Sequence, residues 1–166
     1  MQVPAPQKEH QWLHKLVGEW TFEGECNMGP DQPPVKNTGK ETVRSLGGLW
    51  TIAEGESGMP GGGTWQSIMT LGYDPQLKRF VGTFIAGVMT HLWPYNGSFD
   101  ADEKVLTLDS EGPSFAGDGT MAKYQDIIEF LSDDHRTLSS QYLGSNGNWV
   151  PFMKNQYERI RVSSIQ

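Results

Sequence analysis

A chain of 166 residues with a net charge of −7, its thirteen Lys and Arg scattered, lacks the basic stripe that a nucleic-acid backbone demands of a partner. The single cysteine, Cys26, excludes an intramolecular disulfide, a Cys-based zinc site and a Cys-x-x-Cys pair, and fits a reducing, cytoplasmic setting. No run approaches the roughly 18 apolar residues of a membrane helix, and the opening "MQVPAPQKEHQWLHK" has no apolar signal core, so no membrane partner is expected.

Twenty Gly, ten Pro, six Trp and seven Phe favour short strands joined by many turns, an all-β class. The length fits one domain over residues 1–166, with a core large enough to need no staples. In chain order, "QKEHQWLHKL" puts Trp12, Leu13 and Leu16 on one face at spacings of three and four, which predicts a short amphipathic helix over 7–16. After it, Trp20, Phe22, Gly24, Cys26 and Met28 share one parity and Thr21, Glu23, Glu25 and Asn27 the other, the mark of a strand with one buried face.

Turn signals then recur about every ten residues, among them "YDPQLK", "FDADEK", "SDDH" and "GSNGN". They separate ten strand-like segments, at 18–28, 37–46, 48–56, 63–73, 78–86, 89–99, 104–111, 120–132, 135–143 and 148–161. Such spacing predicts consecutive antiparallel strands, and closing an up-and-down meander into a barrel removes its two open edges. Ten strands enclose a cavity unless large side chains fill it. "MGPDQPPVKNTG" reads as a loop at the barrel mouth, and the triple glycine of "GMPGGGTWQS" as a lid without the Lys of a phosphate loop.

"LVGEW", with an arginine in the closing "NQYERIR", resembles the Gly-x-Trp and closing-Arg arrangement of calycin barrels, which include lipocalins. The resemblance implies a structural lock of Gly18 and Trp20, with Arg159, ahead of Arg161, packed across the indole. A longer resemblance, through "HKLVGEWTFEGE", "GKETVRSLGGLW", "TLGYDPQLKRFVGTFI", "MTHLWPYNGSFDADEKVLTL" and "QYERIR", is to the bacterial domain-of-unknown-function family numbered 1579. It implies a lipocalin-like barrel and supplies no catalytic residues; the "GMPGGGTWQS" stretch departs from it.

Candidate site residues follow from strand parity. In "VMTHLWPYNG", Met89, His91, Trp93 and Tyr95 share one face and, if it points inward, line a pocket of aromatic rings, a thioether and one imidazole; the bland alternative is barrel filling or the reversed parity. Trp65, Met69 and Tyr73, then Tyr124 and Phe130, then Tyr142, then Trp149, Met153 and Tyr157 form further same-face sets. Arg44 and Asp126 either point inward, anchoring a ligand, or are ordinary exposed strand charges. The first function expected is the binding of a small apolar or amphipathic ligand in the cavity. Haem with His91 as axial ligand, an enzyme pairing His91 with Asp126, and a filled scaffold are the alternatives. His10 and His14, four apart on the helix, read as a solvated face, no metal site is assigned, and a homodimer through a barrel face or the helix is left open.

Overall fold

A computed structural model describes residues 1–27 and 29–161; Met28, expected on the buried face of the first strand, lies outside them. The helix α1 (Lys8–His14) is followed by ten strands: β1 (Gly18–Cys26), β2 (Val35–Leu46), β3 (Trp50–Gly58), β4 (Thr64–Asp74), β5 (Arg79–Ala86), β6 (Trp93–Phe99), β7 (Val105–Pro113), β8 (Met121–Ser132), β9 (His135–Leu143) and β10 (Trp149–Arg159). Each pairs antiparallel with the next, and β10 returns to β1, closing the barrel. The alternation expected in the first strand is present, with Trp20 and Phe22 buried and their neighbours exposed.

Asp side chains make the turns. Asp74 Oδ1 accepts the amides of Gln76 and Leu77, and Asp100 Oδ1 those of Lys104 and Val105, local bonds that terminate one strand and aim the next. The largest departure from expectation is β6, which begins at Trp93 rather than at 89. The Met89 amide bonds back to the Ala86 carbonyl, a tight turn that leaves 87–92 as a connection.

The two ends of the barrel differ. At the α1 end the connections 47–49, 75–78, 100–104 and 133–134 are short; at the other they are 27–34, 59–63, 87–92, 114–120 and 144–148. The helix lays Trp12, Leu13 and Leu16 over the short-loop end, where they join Trp20, Val43, Leu71, Phe80, Leu106 and Ile128 in one buried cluster. His10, expected in solvent, is 5% exposed. Its Nδ1 accepts the Gln7 amide and its Nε2 donates to the Tyr73 carbonyl, so the imidazole ties the helix start to β4. His14 is exposed.

Trp20 is fully buried, and its Nε1 donates to Leu16 O at 2.8 Å. Arg159 lies over one part of the indole with its Cζ 4.3 Å from the ring centre, and Arg136 contributes a second guanidinium at 4.5 Å. Arg159 also donates to the carbonyls of Val17 (2.6 Å) and Lys15 (2.7 Å), tying the end of β10 to the segment where α1 ends and β1 begins. Gly18 sits at φ 140°, and a Cβ there would run into the Arg159 guanidinium. Arg161 instead reaches Asp134 from an exposed position. Among the described residues no helix is long and apolar enough to cross a membrane.

Candidate functional site

Alternation assigns each strand an inward set, and burial along those sets changes with height. Toward α1 the inward Trp20, Val43, Leu71, Phe80, Leu106 and Ile128 are all at most 3% exposed, with Tyr73, Phe99 and Phe130 half-buried beside them. Toward the long-loop end burial is mixed: Ser57, Ala86, Tyr124 and Ser140 are 5–7% exposed, whereas inward Asn37, Trp65, Ser67, Phe84, Trp93, Asp126, Tyr142 and Phe152 are half-buried. The barrel is therefore packed most tightly near α1 and more loosely toward the longer loops, and the loosely packed half is termed the cup.

The wall of this cup is aromatic. Trp93 stands edge-on to Tyr124 at 5.0 Å, and Phe115, from the 114–120 connection, packs edge-on against Tyr124 (5.6 Å), Tyr142 (5.7 Å) and Phe152 (5.0 Å). Glycine makes room for one of these rings, since a Cβ on Gly112 would overlap the Trp93 indole. The indole Nε1 of Trp93 is buried and donates to no acceptor among the described residues, an unusual state for a group whose desolvation is costly.

Beneath the rings lies a polar floor. Asp126 on β8 accepts Tyr95 Oη–H at Oδ2 and Ser140 Oγ–H at Oδ1 (2.5 Å), three strands converging on one carboxyl group. Burial pushes the Asp126 carboxyl above the ordinary aspartate range, against a downward pull from the Ser140 and Tyr95 hydrogen bonds. Burial, reinforced by the Asp126 charge, likewise drives the Tyr95 phenol well up. Across the interior Glu41 pairs with Arg136 at 2.6 Å, and the guanidinium lies over the Tyr157 ring at 4.0 Å. A cavity of about 20 Å³, bounded by Glu41, Thr51, Met69, Leu138 and Arg136 among others, has room for one water.

A pH dependence follows from the Asp126 shift. The folded chain retains the Asp126 proton at a pH where the unfolded chain has released it, so this group lowers stability as pH rises from about 3.9 through its raised folded value, then levels off. Urea unfolding across that window is expected to show wild type losing stability relative to Asp126→Asn as pH increases. A difference that stays flat with pH contradicts the shift.

The sequence candidates separate cleanly in space. Trp93, Tyr124, Tyr142 and Asp126 meet in the cup, and Trp65, opposite Ser57 on the neighbouring strand, belongs to the same inner surface. Met69 packs deeper, against the sealed core. Met153 is partly buried opposite Cys26, beside a bulge between Pro151 and Met153; that bulge shifts the parity of β10 and leaves Trp149 37% exposed. Arg44 is exposed, on the outward parity next to buried Val43, which corrects the option of an inward anchor. Met89, expected inward, is 42% exposed on the 87–92 connection, because the turn at Ala86 ends the strand before it. It borders an outer groove of about 850 Å³ that also touches Lys40, Glu54, Glu56, Ile68 and Ile85, residues of the outward face.

His91 is on the rim. Its Nε2 engages the Glu111 carbonyl at 2.9 Å and its ring stands edge-on to Trp93 at 4.7 Å. A ring held on the rim with Nε2 occupied does not fit an axial haem ligand, and no hydrogen bond joins it to Asp126 among the described residues, as a general-base pair requires. Ser140, Phe115, Phe152, Glu41 and Arg136 escaped sequence reasoning. Ser140 shares parity with Tyr142 and Glu41 with Val43, a signal that was there to use; Phe152 was hidden by the bulge and Phe115 by its turn-rich loop.

The profile of a family described as a protein of unknown function, DUF1579, matches residues 5–159. The chain belongs to the DUF1579 family. No curated protein matches this DUF1579 barrel. Among solved structures it is similar to Rv2717c from M. tuberculosis, with a TM-score of 0.61 and 14% identity over 95% of this chain and 100% of the other. The S-type phycobiliprotein lyase CPES from Guillardia theta also gives a TM-score of 0.61, with 11% identity over 95% of each chain. At such identities the likeness establishes the shared barrel fold.

Proposed function

We propose that this barrel binds one small amphipathic molecule in the cup at its long-loop end. The observation that carries the reading is the looser packing of the inward faces toward the mouth, where Asn37, Trp65, Phe84, Trp93 and Tyr142 are half-buried, against fully buried Trp20, Leu71 and Leu106 near α1. The lining has the make-up of a small-molecule site, with apolar and aromatic walls and a few placed polar groups at Asp126, Ser140 and Tyr95. The unpartnered Trp93 Nε1–H adds a donor that a ligand acceptor would satisfy. A barrel of the same fold being a phycobiliprotein lyase agrees with an interior that serves a small molecule, while the reading itself rests on this chain's own side chains.

The test is calorimetric titration with 1-naphthylmethanol, a neutral amphipathic probe, on wild type and on Ala122→Trp. Ala122 shares the inward parity of Tyr124 and lies opposite Gly112 near the mouth, so an indole there occupies the entrance. Saturable one-to-one binding that Ala122→Trp abolishes is expected; equal binding by both proteins places the probe elsewhere and removes the reading.

A further inference from the structure

Charged residues are scarce at the inward positions of the ten strands. Below the mouth, and apart from Arg159 at the closed end, they are Glu41, Asp126 and Arg136. Arg136 is committed: its Nη2 holds Glu41 at 2.6 Å, and its guanidinium lies against the Trp20 and Tyr157 rings with the side chain 3% exposed. Its Nε, without a partner among the described residues, borders a space of about 20 Å³, too small for anything beyond a water. Asp126 has only the neutral donors Tyr95 and Ser140 and forms no ion pair among the described residues. The residue as a whole is half-buried, with its carboxyl group facing the interior and desolvated there.

The cup therefore offers two carboxylates against one guanidinium already used, under walls of aromatic π-faces. Those faces carry negative electrostatic character and attract cations. An anionic head would meet the carboxylate and the ring faces together, with no uncommitted cation at the inward strand positions among the described residues.

Resting on the cup reading, we infer that the ligand is a small organic cation, an ammonium group on an aromatic or apolar body, whose head is seated on Asp126 and whose body lies among Trp93, Tyr124, Tyr142 and Phe152. The ammonium donates to the Asp126 oxygens, where Tyr95 and Ser140 hold the carboxylate in place. Asp126 is a binding residue here, and no bond is made or broken.

Calorimetry with three probes of one shape tests this: 1-naphthylmethylammonium, 1-naphthylmethanol and 1-naphthylacetate. The ammonium is expected to bind roughly ten- to a hundred-fold more tightly than the alcohol, the worth of a hydrogen bond to a charged group, and the acetate most weakly. Asp126→Asn keeps the side-chain shape and is expected to erase the ammonium's advantage while leaving the alcohol unchanged. Should that variant fail to fold, wild type answers alone: lowering pH to protonate Asp126, with Glu41, Arg136, Tyr95 and Tyr157 as the other titratable groups facing it, is expected to remove the advantage of the ammonium over the alcohol. An ammonium that binds no better than the alcohol, or an advantage that survives both Asp126→Asn and acid, overturns the cationic class and leaves the cup. Failure of all three probes overturns the cup reading and this inference with it.

Discussion

Trp20→Ala is expected to lower unfolding stability by about 3–5 kcal/mol, the range for truncating a fully buried large aromatic. The position gathers several losses into one substitution. The indole is 0% exposed, it supplies the donor for the Leu16 carbonyl, and it is the surface on which both Arg159 and Arg136 rest. Removing it opens a cavity under the helix, orphans a carbonyl and leaves two guanidiniums facing a void. Denaturant midpoints at constant m-value measure this directly. Because Trp20 sits at the closed end, probe affinity in whatever fraction remains folded should hold; a large affinity change with unchanged stability contradicts the separation of lock from cup.

Glu41→Ala is the second large effect. It strips the carboxylate from an arginine whose side chain is 3% exposed, and breaking a buried pair from one side costs about 3–5 kcal/mol because the remaining charge stays desolvated and unpaired. Replacing both partners at once, as Glu41→Leu with Arg136→Met, is expected to recover most of that loss, since a buried ion pair exchanged for apolar groups of similar volume is often near neutral. Some cost will persist, because Arg136 also covers the Trp20 and Tyr157 rings. Denaturant unfolding of the three variants decides it. A double variant less stable than Glu41→Ala contradicts the pairing.

The architecture was legible in the sequence for a physical reason: turns built on Asp, Asn, Gly and Pro punctuate the chain, and strand alternation is set locally. Trp20 and Phe22 against Thr21 and Glu23 announced one buried face before any fold was known, and so did Trp12, Leu13 and Leu16 for the helix. What alternation does not carry is where a strand stops or slips. One backbone bond, Met89 to Ala86, took Met89 off the inner wall and left His91 on the rim, and one bulge in β10 moved Trp149 outward. His10 shows a different limit. Its burial depends on the Tyr73 carbonyl, sixty-three positions away in sequence, which no local pattern encodes. The polar floor is of this kind as well: Tyr95, Asp126 and Ser140 lie on β6, β8 and β9, and their convergence is a property of barrel closure.

The six tryptophans report on separate parts of the molecule, so the indole region of a ¹H–¹⁵N correlation spectrum reads the location of a bound molecule directly. Trp12 and Trp20 mark the sealed end, Trp65 and Trp93 the inner wall of the open half, and Trp50 and Trp149 the exposed exterior. On titration with 1-naphthylmethylammonium, the Trp93 and Trp65 indole signals are expected to shift with one common saturation curve, Trp93 most because its N–H has no acceptor among the described residues, while Trp12 and Trp20 stay in place. Shifts confined to Trp50 or Trp149, or no shift at Trp93 at saturating probe, contradict a ligand cup inside this barrel.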